Sequence, residues 1–299
     1  MRFENVLVTG AGGLLGSYVV DELKGRCRLS GLDLLAAHGG IPHIVDSIEN
    51  LDAVRRACEG QDAIVHVAAR PNIWSGSGSE IIQTNVTGTW NVLEAAEQAG
   101  VRRVIVTSSD SVIGFTVFEG KMIPPSYLPV DADHPRRPTD PYALSKKLCE
   151  EMARSFADRG TMEVVVLRPV YVLYPEFECE VKARAADPAG YKGPAAGGRQ
   201  PAGGGPMWHY VDPRDVALAY RCALEAENPG FGPYFICGPT TLALEPTTDR
   251  LTAKTGRETE IRDLALYRNN PNAPLYDLSA AADRLGFQAQ HDLRRVLYG

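Results

Sequence analysis

The sequence has no run of about 18 apolar residues, the length that bridges the hydrocarbon core of a bilayer, so no segment is expected to span a membrane. It has no C-x-x-C pair. Its six cysteines, Cys27, Cys58, Cys149, Cys179, Cys222 and Cys237, are scattered. That argues against a zinc site or a disulfide framework and for small buried side chains in a reducing compartment. No metal is expected. Blocks of like charge are also missing, and the formal net charge is -6. The basic face that a nucleic-acid partner needs is therefore absent. The first residues, MRFENVLVTG, run straight into a strand and do not read as a secretory leader, so the expected location is cytoplasmic.

What is present is ordinary for a soluble protein and large enough for a substantial core. Hydrophobic residues make up 44% and charged residues 23% of 299 positions, which suits one large α/β domain with a lesser lobe. Phe3 to Thr9 reads as a buried strand, TGAGGLLG follows at 9–16, and an amphipathic helix begins at once. Gly10, Gly13 and Gly16 supply a tight turn, close approach to a pyrophosphate, and close packing of helix on strand. Free N–H groups at the helix start face the phosphates. Cys27 to Asp33 reads as the second strand, and Asp33 lies 17 residues beyond Gly16. A carboxylate there accepts both ribose hydroxyls and repels a 2′-phosphate, and Leu34 and Leu35 follow it rather than an arginine. The expected dinucleotide is NAD rather than NADP.

Further strands are expected at 41–45, 62–69, 101–107 and 163–167, with helices at 49–59 and 79–100. Strands alternating with helices give a doubly wound parallel sheet. Ligands on such sheets sit outside the carboxyl ends of the strands. The glycine turn, Asp33, Ala68 with Ala69, and Ser109 all fall at those ends. His66 lies inside an apolar run and reads as a core histidine; His134 carries no assigned role. Residues 114–139 form a proline-rich loop long enough to cover a site.

Tyr142 and Lys146 lie four apart in PYALSKKLCEE, which should be helical. Four residues turn about 400° and rise about 6 Å, so both side chains share one face. An ammonium beside a phenol favours the phenolate, and a tyrosine brought toward neutrality can exchange a proton with an alcohol.

Taken together, TGAGGLLG at 9–16, Asp33, Asp46-Ser47, HVAA at 66–69, NVTGTWNVLEAA at 85–96, TSSDSVIG at 107–114, YALSK at 142–146, RP at 168–169, VDPRDVA at 211–217 and DLSAAADRLGF at 277–287 resemble the extended short-chain dehydrogenase/reductases of the NAD-dependent epimerase/dehydratase family. The resemblance covers nearly the whole chain. It implies a Rossmann domain over residues 1–169 and a smaller, interleaved substrate-binding lobe over 170–299. It implies that Gly10, Gly13, Leu14, Leu15 and Gly16 border the pyrophosphate, Asp33 holds the adenosine ribose, and Asp46 with Ser47 meets the adenine. Ala68, Ala69, Thr107 and Pro169 would line the cofactor. Lys146 would bind the nicotinamide ribose and lower the pKa of Tyr142, the acid/base, while Ser109 would hydrogen-bond the reacting oxygen. Asp110, Tyr171 and His209 are the further substrate-binding candidates. A homodimer through two helices per subunit is also implied.

The departures bear on substrate. RPVYVLYP replaces R-P-x-N-V-Y-G-P, with Tyr171 in place of the asparagine. Pro206 stands where many members carry a diphosphate-binding arginine, in a glycine-rich stretch, 189–206, expected to be flexible. Arg199, Lys182 and Arg184 are alternative cations. SSDSVIGF is similar to the stretch of uronate dehydrogenases. Three functions follow: an epimerase-type oxidoreductase acting on a sugar or nucleotide sugar through a keto intermediate, a dehydrogenase of a free sugar acid or polyol releasing NADH, or a nucleotide-sensing scaffold without chemistry.

Overall fold

A computed structural model describes residues 1–115, 122–175 and 207–298, with Ala183 and Ala186 between them. Cys179, Lys182, Arg184, Arg199, Pro206 and the stretch 189–206 lie outside the described residues, so the expectations attached to them are not addressed.

The core follows from short β-branched runs. β1 (Asn5–Thr9), β4 (Ala63–His66), β5 (Arg103–Thr107) and β7 (Glu163–Pro169) are buried almost end to end. Successive strand residues point to opposite faces. Val6, Val8, Val65, Ile105, Val165 and Leu167 join one apolar cluster, and Leu7, Ile64, Val104, Val106, Val164 and Val166 join the other. Each such side chain contributes roughly 1.5–3 kcal/mol when fully buried. Burial on both faces is the mark of a parallel sheet covered by helices.

With β2 (Arg28–Asp33), β3 (His43–Val45) and β8 (Tyr234–Ile236), the sheet has seven strands in the order β3-β2-β1-β4-β5-β7-β8, all paired in parallel. α1 (Leu14–Leu23) and α6 (Pro213–Glu225) pack on one face; α2 (Leu51–Cys58), α4 (Gly88–Gln98) and α5 (Pro141–Arg159) cover the other. The chain leaves β1 toward one edge and returns at β4 toward the other, so the crevice opens at the carboxyl ends of β1 and β4. A second sheet pairs β6 (Tyr127–Leu128) with β9 (Glu260–Ile261). α7 (Thr247–Thr255), α8 (Leu264–Asn269), α9 (Ser279–Leu285) and α10 (Leu293–Tyr298) complete the C-terminal part.

The helix expected at 79–100 runs without a gap from Gly78 to Gln98, but not as one regular α-helix: α3 (Gly78–Ile82) passes through a π turn at Gln83–Thr87 before α4. Ser77 caps α3 with a reciprocal bond to Glu80. The π turn carries Asn85 inward, where its amide donates to the Ser145 hydroxyl on α5 and its carbonyl accepts the Arg70 N–H. No helix of the described residues is long and apolar enough to cross a membrane.

Candidate active site

The glycine turn is built by exclusion of side chains. Gly10 has φ 77°, and a Cβ there would stand 2.7 Å from the Ala68 nitrogen; a Cβ on Gly16 would lie 1.8 Å from the Gly10 carbonyl oxygen. Only bare backbone lets the turn, β4 and α1 meet so closely. Gly13 precedes α1, offers no side-chain cap, and the first turn carries no acid. Its N–H groups are thus placed for an anion. Leu14 is exposed beside them, and Leu15 packs against the core.

Asp33 ends β2 and accepts the N–H groups of Gly12 and Leu35 at 2.9 and 3.0 Å, tying the second strand to the turn. Asp46 and Ser47 follow β3; the Asp46 carboxylate accepts the Ser47 N–H and the Asn50 amide. Ala68 and Ala69 leave β4 partly exposed. Pro169 is buried at the end of β7, opposite Ile236, so it stands behind the crevice surface rather than on it. Glycine turn, Asp33 and small β4 residues fit a dinucleotide whose pyrophosphate rests on the start of α1.

α5 is well terminated: Asp140 accepts the Ala143 N–H at 2.8 Å, Pro141 occupies the first turn, and Gly160 closes the helix at φ 71°. Tyr142 and Lys146 share its inner face. Lys146 Nζ lies 5.9 Å from the Tyr142 ring centroid and donates to the Thr107 carbonyl at 2.9 Å. The expected lowering of the Tyr142 pKa is not what this arrangement produces. Burial pushes the phenol up; the Ser109 hydroxyl, hydrogen-bonded to it, pulls the other way but loses, and Asp110 and Asp140 add to the rise. Burial also lowers the Lys146 ammonium. Desolvation outweighs the helical spacing from which the lowering was reasoned.

Ser109 follows β5 and starts a short 3₁₀ turn, its hydroxyl accepting the Ser111 N–H at 3.1 Å. Thr107 donates to the His66 carbonyl at 2.6 Å and meets the Tyr220 hydroxyl at 2.6 Å. Asp110 stands beside Ser109, and its other oxygen accepts the Tyr276 hydroxyl at 2.7 Å. Burial raises the Asp110 carboxyl to about 6 against those hydrogen bonds. Tyr276, from the segment ahead of α9, was not singled out in the sequence. Its only signal was its place just before DLSAAADRLGF.

His209, expected to contact substrate, is 7% exposed; its Nε2 is taken by the Leu275 N–H, and its ring leans on Tyr276 at 4.7 Å. Burial lowers it to about 3, so it stays neutral. Tyr171 is partly exposed and packs with Leu173 and Tyr210. His66 is a core histidine, as its apolar setting suggested, bonded to Thr9 and Thr89 through its two ring nitrogens. His134 accepts the Ser126 N–H, holding the proline-rich loop.

Behind Ser109, Arg168 of β7 makes a two-pronged bond to Glu150 of α5 at 2.7 and 2.8 Å; Ser108 donates to the same carboxylate at 2.6 Å. This buried bridge locks α5 to the sheet. Among the described residues the cysteines are free and no cluster could hold a metal ion. An open cavity of about 590 Å³ between α6 and residues 285–290 contains none of the candidate site residues.

The sequence model of the NAD dependent epimerase/dehydratase family matches residues 6–237. A uronate dehydrogenase from Pseudomonas putida is 36% identical over 172 residues, 56% of this chain and 60% of that protein, so the match spans less than two thirds of the curated relative. Among solved structures, a short-chain dehydrogenase/reductase superfamily protein from Agrobacterium tumefaciens with bound NAD aligns at TM-score 0.70 and 25% identity, covering 98% of this chain and 95% of that one. MoeE5 in complex with UDP-glucuronic acid and NAD aligns at TM-score 0.69 and 25% identity, covering 98% and 96%.

Proposed function

Because this chain belongs to the NAD dependent epimerase/dehydratase family, we propose that it oxidises a secondary alcohol of a sugar, with Tyr142 as the proton-exchanging group. The observation that carries the reading is the convergence of Tyr142, Lys146 and Ser109 at the carboxyl end of β5, across from the glycine turn. Oxidation requires a hydride acceptor, which NAD supplies when bound. Tyr142 must first release its own proton, against the burial that holds it, and as the phenolate it then takes that of the hydroxyl. Ser109 donates a hydrogen bond to the oxygen on which charge develops. Lys146, anchored on the Thr107 carbonyl, presents its amino group on the same helix face. Gly10, Gly13 and Gly16 seat the pyrophosphate, and Asp33 takes the ribose.

Two outcomes are open to such a site. The uronate dehydrogenase relative favours release of NADH from a free sugar acid or polyol. The likeness to MoeE5 with UDP-glucuronic acid favours a nucleotide sugar, held through a keto intermediate that is then reduced again. Incubation with NAD and a panel of free and nucleotide-linked sugars, followed by NADH absorbance and product chromatography, separates them. Stoichiometric NADH supports the dehydrogenase; epimerised product without net NADH supports the epimerase; turnover persisting in Tyr142→Phe refutes the role of the phenol.

Residues 1–169 form the dinucleotide-binding unit in this reading, and 170–299 a substrate lobe interleaved with it, since α6 and β8 return to the sheet. Trp90 on α4 and Leu144 and Leu148 on α5 are exposed large apolar side chains, which supports a homodimer through these helices. The cytoplasm, with its NAD pool, is the proposed location.

A further inference from the structure

We propose that Asp110, held in place by Tyr276, selects the substrate by charge: the site takes an uncharged sugar unit and disfavours one bearing a carboxylate. The inference rests on the sugar-oxidoreductase reading above and narrows its substrate to neutral sugars, against the sugar acids in the names of the uronate dehydrogenase relative and the MoeE5 complex.

Asp110 is the residue next to Ser109, so its carboxyl lies within one sugar ring of the reacting oxygen. Its two oxygens meet the Ser109 hydroxyl at 3.3 Å and the Tyr276 hydroxyl at 2.7 Å, and part of its surface stays exposed. Among the described residues no lysine, arginine or histidine pairs with it. The titratable groups packed around it are Tyr142 from α5, Cys237 just after β8 and Tyr276 ahead of α9; burial raises the pKa of each, so each stays neutral. His209, beside Tyr276, is neutral as well. Arg168 reaches Tyr276 electrostatically but bonds to Glu150.

Among the described residues, then, the carboxylate that Asp110 bears above about pH 6 has no cation paired with it in a poorly solvated crevice. Such a carboxylate has spare lone pairs for the O–H donors of a neutral sugar. A second carboxylate one ring away meets uncompensated repulsion, which in a partly shielded crevice amounts to about 10- to 100-fold in relative affinity. Tyr276 matters because its hydroxyl stabilises the ionised form.

The test uses matched pairs that differ only in CH₂OH against carboxylate: glucose and glucuronate, galactose and galacturonate, UDP-glucose and UDP-glucuronate. Binding to the NAD-loaded protein is measured by calorimetry, and turnover in parallel, above and below pH 6. The wild type is expected to favour the neutral member at least about tenfold above pH 6, with the preference shrinking as Asp110 protonates. Asp110→Asn should bring the ratio toward one and remove its pH dependence. Tyr276→Phe should keep the preference but move its loss to higher pH. An acid preferred by the wild type, or the same ratio in Asp110→Asn, overturns the proposal. Turnover unaffected by Tyr142→Phe, with the binding ratios as expected, overturns the oxidoreductase reading alone. No binding of any sugar overturns both.

Discussion

Replacing Glu150 by Ala should be among the most damaging single changes in the chain. Glu150 and Arg168 are 2% and 1% exposed, and the guanidinium places Nε and Nη2 on separate carboxylate oxygens at 2.7 and 2.8 Å. Arg136 and Ser108 add bonds to the same carboxylate. Removing one partner of a buried pair strands the other charge and costs about 3–5 kcal/mol. Total stabilities run to roughly 5–15 kcal/mol, so the loss is a large share. Urea titration should show a lower midpoint at unchanged slope. Replacing both residues by Met removes the stranded charge, so the double variant should regain much of the loss, giving a coupling of about 2 kcal/mol or more. A Glu150→Ala cost under about 1 kcal/mol, or a double variant as unstable as the two singles summed, would refute the reasoning. The pH direction is fixed as well. Burial pushes the Glu150 carboxyl up, but Arg168, Ser108 and Arg136 outweigh it and hold it below its ordinary range. The stabilisation is therefore present above the unfolded carboxylate range and lost as pH falls through the folded value.

Tyr142→Phe should lower kcat about 10²–10⁴-fold while leaving NAD affinity unchanged, read by steady-state kinetics and dinucleotide titration. Gly16→Ala should abolish NAD binding or folding, since its Cβ falls 1.8 Å from the Gly10 carbonyl oxygen; dinucleotide titration with circular dichroism tells the two apart. His209→Phe removes the acceptor of the Leu275 N–H and should cost about 1–3 kcal/mol in thermal or urea unfolding. Between the folded value of about 3 and the ordinary histidine range, unfolding binds a proton at both His66 and His209, while Asp110, raised to about 6, works oppositely. The net is about one proton, so these three groups should make stability fall by about 1.4 kcal/mol per pH unit on acidification from pH 6 to 4, a slope that His209→Phe should flatten. Leu144→Glu with Leu148→Glu should yield a monomer by sedimentation if α4 and α5 form the subunit interface.

The sheet was legible because its strands are β-branched runs of fixed period, ended by small or acidic residues. Gly10, Gly16 and Asp33 were legible for the same reason: turn chemistry is local. The π turn was not: QTNVTG is poor in helix formers, but the stronger helix formers on either side carry a single-helix reading straight through it. β8 has three residues, Tyr234–Ile236, too few for a pattern. Tyr276 reaches Asp110 across 166 positions, and no local rule links them. The Tyr142 pKa went astray because helical spacing reports neighbours, not the depth at which they are buried. His209 lies just ahead of VDPRDVA in sequence, yet its ring nitrogen is taken by the Leu275 N–H, a contact that no local pattern announces.

The irregular turn at Gln83–Thr87 has a consequence for anyone who would tidy this backbone. Deleting one residue would restore ordinary winding and improve the local carbonyl-to-amide pairing. It would also close the widened turn that carries Asn85 inward, while the flanking turns kept close to their present phase, four α-helical residues turning about 400°. Asn85 would then swing away from Ser145 and Arg70, and the support beneath Tyr142 would go with it. A redesign scored on regularity would register a gain while the candidate site lost its footing.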